Sequence, residues 1–291
     1  TRDRLTTASL TRLTAPDTSK KEFPGHARFA LHNLNQLTSR PDQIKVLRQT
    51  ILNLAVRGKL VEQDPEDEPA EELLKRIDRW RQTATEAKQI KSPRKPLKPI
   101  SNDDHPYILP GGWSWARLGL LIYIKSGDGL TSSNMREGSI PVYGGNGITG
   151  YHDEANTTEP TIVIGRVGYY CGSIHLTPSK AWITDNAFVT KYSQNDIHRE
   201  FMQLLLVATD LKEQDSATAQ PVISGAKIYP IVVGLPPLTE QHRIVAKVDE
   251  LMALCDKLEA AKTTADTAQA RLLEVLLHDS LAQDAYNRNT A

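Results

Sequence analysis

Three glycines, Gly145-x-Gly147-x-x-Gly150, carry the spacing of a dinucleotide-binding fingerprint inside "VYGGNGITGYHDE", residues 142–154. That chemistry needs a strand before the motif and a helix starting within it, so that the helix N-terminus faces the pyrophosphate. Here "YHDEANTTEP" follows and reads as turn, and no βαβ pattern surrounds it. The glycines are therefore expected to serve positive φ and close backbone approach in a loop. Pro41-Asp42 with Glu86-x-Lys88 imitates a nuclease metal site, but both elements fall in predicted helices. Carboxylates that hold Mg²⁺ must converge on one point, typically from adjacent strands. His152 beside Asp153 and Glu154 has the groups for acid–base or metal chemistry, and a solvated loop is expected instead. The eight histidines form no HExxH, and there is no GxSxG, no GxxxxGK[ST] and no Asp/Asn-Pro-Pro-aromatic element of an amino-methyltransferase. No catalytic site and no metal site is expected in this chain.

The 291 residues are 39% hydrophobic and 24% charged, enough for a real core and more than one domain. No run of about 18 apolar residues occurs, and "TRDRLTTASLTRL" has no apolar core of a secretory signal. The chain does not open on Met, which reads as a fragment or a trimmed product. Cys171 and Cys255 lack CxxC spacing and are expected as buried thiols in a reducing compartment. The formal net charge is zero, so whole-chain electrostatics do not announce a nucleic-acid binder. Charge is uneven, however: "EQDPEDEPAEE", residues 62–72, is acidic, and residues 75–98 are rich in Lys and Arg. That basic run reads either as a solvated helix face and linker or as a surface for phosphates or an acidic partner.

Four segments follow. Residues 1–38 show weak periodicity and resemble the tail of a preceding folded unit. Residues 39–106 hold helices and a linker. Arg40-Pro41-Asp42 opens a helix with Ile44, Leu47, Ile51 and Leu54 on one stripe, stopped at Gly58. A second helix after Pro69 carries Leu73, Ile77, Trp80, Ala84 and Ala87, and ends in the Pro- and Lys-rich "SPRKPLKPISNDDHP". Residues 107–237 are short β-rich runs punctuated by Gly, Pro, Asn and Asp, with one clear helix over 198–214. Residues 238–291 form a last helix, expected to be capped by Thr239. Its stripe of Ile244, Val248, Leu251, Cys255, Leu258, Lys262, Ala265 and Leu272 has coiled-coil steps. A helix over 240–282 extends roughly 60 Å and needs a partner helix, which residues 41–61 offer. The fold class is α+β: a strand-rich globular domain flanked by long helices forming an antiparallel coiled coil. Leu47, Ile51, Leu54, Val248, Leu251 and Leu258 are the candidate seam.

What remains for function is a recognition surface. The strand-rich domain concentrates residues suited to base edges and phosphates: Tyr143, Asn146, Arg166, Tyr169, Tyr170, Lys180, Trp182, Asn186 and Lys227. Acidic residues outnumber basic ones over 103–235, so this domain alone should have poor non-specific affinity for DNA. A partner supplies the positive field, or the domain is a protein–protein scaffold that binds no DNA.

Several segments in order carry a family resemblance. They are "RPDQIKVLRQTILNLAVRGKLVEQDPEDEPAEELLKRI", "LPGGWSWARLGLL", "IPVYGGNGITGYHDE", "PTIVIGRVGYYCGSIHLTPSKAWITDNAFV" and "GLPPLTEQHRIVAKVDELMALCDKLE". Over about residues 1–280 the sequence resembles the specificity subunit of type I restriction-modification systems. The resemblance implies a target recognition domain over 107–237, reading one half of a bipartite DNA site. The helices before and after it act as spacer and docking surface. It implies partner methyltransferase subunits that bind S-adenosylmethionine and methylate adenine, and a restriction–translocase subunit. No cofactor is implied for this chain, and a cytoplasmic location in a bacterium or archaeon is. "RLTTASLTRL" and "ARFALHNL" resemble the end of a first recognition domain, implying the C-terminal half of a longer subunit or a self-associating half-subunit. Recognition domains vary with the bases read, so the resemblance assigns no base-contacting residue.

Overall fold

The computed structural model describes residues 2–14, 22–33, 38, 40–92, 96–214 and 222–289. The chain divides into two compact units, Leu52–Val248 and the paired segments Thr1–Ile51 and Asp249–Ala291. Residues expected only as a domain tail form two helices, α1 (Arg2–Thr14) and α2 (Phe23–His32). Leu10, Leu13 and Ala30 are buried apolar side chains of these two helices. Helix α3 (Pro41–Val56) starts where Pro41 and Asp42 placed it. The side chain of Gln43 reaches back to accept the Arg40 backbone N–H at 3.2 Å, occupying a donor that the first turn leaves open. Gly58 ends the segment in the left-handed region, φ +65°, and the Lys59 N–H closes onto the Leu54 carbonyl at 3.0 Å. A Cβ at Gly58 would lie 2.3 Å from the Pro110 ring, so this stop is also a packing contact.

Helix α4 (Ala70–Glu86) buries Leu73, Ile77 and Ala84 of the expected face and also Ala70, while Trp80 is half-buried and Ala87 lies just past its end and is exposed. The basic run divides. Arg76 bridges Glu68 at 2.7 Å and the nearly buried Asp196 at 2.6 Å. Arg81 donates to the Leu120 and Ile122 carbonyls, and burial holds its pKa below the ordinary arginine value. Neither is free for a phosphate. Pro93, Arg94 and Lys95 of the connector lie outside the described residues.

Short strands follow, each bounded by turn residues. They are β1 (Ser114–Arg117), β2 (Tyr123–Ser126), β3 (Ile140–Gly144), β4 (Gly147–His152), β5 (Ile162–Gly165), β6 (Ile174–Leu176), β7 (Trp182–Ile183), β8 (Ala187–Lys191) and β9 (Val232–Leu235). Helix α5 (Leu118–Leu121) separates β1 from β2, while α6 (Arg199–Ala208) and α7 (Gly225–Ile228) lie between β8 and β9. The helix expected over 198–214 breaks at Asp210, φ +45°, and resumes as a tight turn over Leu211–Gln214. Strands β2-β8-β5-β6 form an antiparallel sheet, β4-β3-β7 a mixed one, and β1-β9 a two-stranded ribbon. Tyr143, Val163, Ala181, Ile183 and Ala187 pack between the first two as one core cluster. Both cysteines are buried thiols outside any disulfide.

The last helix, α8 (Leu238–Asn289), begins directly after Pro236-Pro237. Thr239 does not cap it: the residue already lies within the helix, and its hydroxyl donates to the Asp67 carboxylate. Asp67 also pairs with Arg243, and Glu240 accepts from Gln63 at 3.2 Å and from the Trp113 indole N–H at 2.9 Å. In the smaller unit Arg48 on α3 bonds Asp256 at 2.6 Å and Glu259 at 3.0 Å. Of the expected seam, Ile51, Leu54, Val248 and Cys255 are buried, and Leu47, Leu251 and Leu258 are half-buried. The stripe does not continue as expected. From Thr263 to His278 every residue is exposed, Leu272 by 60%. Among the described residues no helix is long and apolar enough to cross a membrane.

Candidate nucleic-acid interface

The glycine motif folds as a β-hairpin. Gly144 pairs with Gly147 across the two-residue turn Gly145-Asn146, and Gly147 adopts φ +86°. A register shift between Val142 and Tyr143 leaves Thr149 as the extra residue. The other two glycines of the motif serve proximity. A Cβ at Gly145 would lie 2.6 Å from the Val167 carbonyl oxygen, and one at Gly150 would lie 3.0 Å from the Met135 sulfur. Opposite the tip, Gly165 makes room in turn, since its Cβ would lie 2.2 Å from the Gly145 carbonyl oxygen. The hairpin tip is thus pressed onto the loop between β5 and β6, and Ser173 secures it by donating to the Gly145 carbonyl at 3.0 Å.

This docking brings three candidates together. Asn146 stands exposed at the tip. Asn186 lies beside Gly145, and its carbonyl accepts the Arg166 N–H at 2.9 Å. The Arg166 guanidinium is partly committed: it donates to Ser126 Oγ and the Asp185 carbonyl, both at 3.2 Å, and lies over the Phe188 ring. Tyr169 is 72% exposed on the same loop, edge-on to Tyr170, with Lys212 Nζ 4.2 Å from its ring centroid. Lys227 is tied to this region through the Val222 carbonyl, because Val222 bridges Val167.

Two other candidates, Tyr143 and Trp182, serve the scaffold. Tyr143 is only 6% exposed, its ring in the core cluster, and burial raises its hydroxyl pKa. Trp182 is half-buried in β7, and its indole N–H already meets the Asp128 carbonyl at 3.3 Å. Lys180 is exposed in the turn before β7. His152, expected in a solvated loop, is 2% exposed at the end of β4. Its Nδ1 accepts the Arg136 backbone N–H at 3.0 Å, and its ring stands edge-on to Trp182. Asp153 and Glu154 pair with Arg136. Among the described residues no group of three or more His, Cys, Asp or Glu could hold a metal ion.

A cleft of about 480 Å³ opens beside the hairpin, lined by Tyr143, Asn146, Ile148, Ile174, His175 and Gln203 among others. His175 and Gln203 had no signal in the sequence. One sits in a three-residue strand and the other on the polar side of α6, and only the sheet edge brings them to the hairpin.

Fold and site define a recognition module of mixed α and β structure with a long C-terminal helix. The family model described as "Type I restriction modification DNA specificity domain" matches residues 110–265. The chain belongs to that family. It is 30% identical over 270 residues to the type I restriction enzyme EcoEI specificity subunit of Escherichia coli, covering 82% of this chain and 45% of the relative. It is also 30% identical over 280 residues to the EcoAI specificity subunit of the same organism, covering 86% and 46%. The chain thus spans about half the length of these relatives. Among solved structures, the S subunit of a type I system from M. genitalium matches with a TM-score of 0.44 at 19% identity, over 79% of this chain and 57% of the other.

Proposed function

We propose that this chain reads one half of a bipartite duplex DNA target for a type I restriction-modification complex. It carries no catalysis of its own. It directs adenine methylation and restriction by partner subunits, with S-adenosylmethionine bound in the partner methyltransferase, and it works in the cytoplasm. The observation that carries this reading is the family match over residues 110–265, which spans the strand-rich domain and the start of α8. The hairpin tip and its surroundings are the proposed DNA face. Asn146, Tyr169, Asn186 and Lys227 offer amides, a ring and a cation there, Lys180 adds a cation from the turn before β7, and Arg166 holds the β5–β6 loop in place. Tyr143 and Trp182 act from behind as support. Leu47, Ile51, Leu54, Val248, Leu251 and Leu258 form the antiparallel spacer seam that also docks the methyltransferase. A fixed rise per residue makes such a helix pair a ruler for half-site spacing.

The test is reconstitution with the cognate methyltransferase subunits, followed by sequencing of methylated adenines. Methylation at a defined sequence is the expected result. A complex that forms but methylates no defined sequence would establish a scaffold instead.

A further inference from the structure

The cleft beside the hairpin has a polar rim without charge. The side chains of Asn146 and Gln203 hydrogen-bond to nothing among the described residues, so both amides are available. Ile148 and Ile174 supply apolar walls. Uncharged donors and acceptors over an apolar wall suit a base edge better than a phosphate.

His175 is the polar group whose state the structure determines. Ser173 has one hydroxyl hydrogen, and it goes to the Gly145 carbonyl at 3.0 Å. At the 3.1 Å contact between Ser173 Oγ and His175 Nε2, Ser173 must therefore accept and Nε2–H must donate. Burial holds the His175 pKa below the ordinary histidine value, so the ring is neutral at pH 7 and Nδ1 keeps its lone pair. Gly147 packs against the side of the ring that carries this atom. A Cβ there would lie 3.0 Å from His175 Cε1 and 3.3 Å from Nδ1. The hairpin glycine thus keeps a methyl group off the ring edge that carries this acceptor, and the serine contact orients the ring.

We infer that this cleft reads one base edge of the target, His175 Nδ1 accepting from the exocyclic amino group of an adenine or a cytosine. Asn146 and Gln203 pair with the neighbouring donors and acceptors of the same edge or the next. The inference rests on the DNA-reading function proposed above and adds which residues discriminate.

The test uses the full chain reconstituted with its cognate methyltransferase subunits and a duplex library randomised across the target. Sequencing of methylated molecules gives the preference at each position. His175→Gln keeps an N–H for Ser173 and removes the Nδ1 acceptor. Gln203→Ala removes an amide that holds no other residue. The expected result is a loss of preference of about tenfold at one position for His175→Gln, and at the same or an adjoining position for Gln203→Ala. All other positions keep their preference. An unchanged profile in both variants overturns the inference and leaves DNA reading intact, as does a uniform loss of methylation across all sequences. A wild-type complex with no sequence preference overturns both readings. If His175→Gln fails to fold, Gln203→Ala decides.

Discussion

Alanine at each glycine of the 145–150 motif separates a hairpin from a phosphate cradle, because each position has its own physical reason for lacking a side chain. At Gly145 the new Cβ would lie 2.6 Å from the Val167 carbonyl oxygen. That is about 0.7 Å inside the closest ordinary C···O approach of roughly 3.3 Å. Both partners are backbone in packed sheet and turn, so neither can rotate away, and overpacking of this kind costs about 1–3 kcal/mol. Because neither can yield, the upper end of that range applies, and the stiffer unfolded chain returns roughly 0.4–1 kcal/mol, leaving a net loss of about 2 kcal/mol. At Gly147 the cost is conformational: φ is +86°, and a non-glycine residue in the left-handed region loses about 1–2 kcal/mol. At Gly150 the neighbour is the end of the flexible Met135 side chain at 3.0 Å, which can move, so the net change should stay within about 0.5 kcal/mol. In a unit the size of Leu52–Val248, each kcal/mol shifts Tm by about 2–4 °C. Gly145→Ala should therefore lower Tm by about 4–8 °C, Gly147→Ala by less, and Gly150→Ala by about 2 °C at most. Thermal unfolding followed by tryptophan fluorescence would show this order. Equal losses at all three positions, or a Gly145→Ala protein as stable as wild type, would refute the packing argument.

Three further outcomes are expected. Glu240 is buried, which pushes its pKa above the ordinary glutamate value despite the Gln63 and Trp113 hydrogen bonds. The folded state therefore binds the proton more tightly than the unfolded chain. The contribution of Glu240 is largest below the unfolded pKa of about 4.3 and is lost as pH rises through the folded pKa. Glu240→Gln should consequently compare more favourably with wild type at pH 7 than at pH 4 in denaturant titrations, and the opposite trend contradicts this. Leu47→Asp or Leu251→Asp, each on a half-buried seam position, should remove about 1–2 kcal/mol of apolar burial and weaken methyltransferase docking while leaving base preference intact. Gel filtration and methylation mapping together check that split. Without partners the chain should bind duplex DNA weakly. With about four phosphate contacts, affinity should fall roughly a hundredfold between 50 and 200 mM salt. Tight, specific binding by the chain alone at the higher salt shows that the charge argument is wrong.

Helix starts and stops were legible because their causes are local. Pro41, Asp42 and Gly58 act within one turn of themselves, and the stripes of α3 and α4 repeat within a few residues. The candidate site was legible in part. The glycine spacing marked the hairpin, yet nothing near Tyr143 in sequence says that its ring fills a core shared with Val163 and Ile183. The basic run over 75–98 likewise looked uniform, although Asp196 takes Arg76 across 120 positions.

The sequence by itself determined an α+β chain with a strand-rich domain between helices, and its family, because periodicity, turn residues and motif order are properties of short segments. Only the tertiary structure decided that His152 is buried, that Thr239 serves Asp67, that the stripe of α8 is exposed beyond Lys262, and that His175 and Gln203 share a cleft with Asn146. Each of these depends on groups brought together across sheet edges and long loops. The free energy of such a contact depends on which partner arrives, and no periodicity records that.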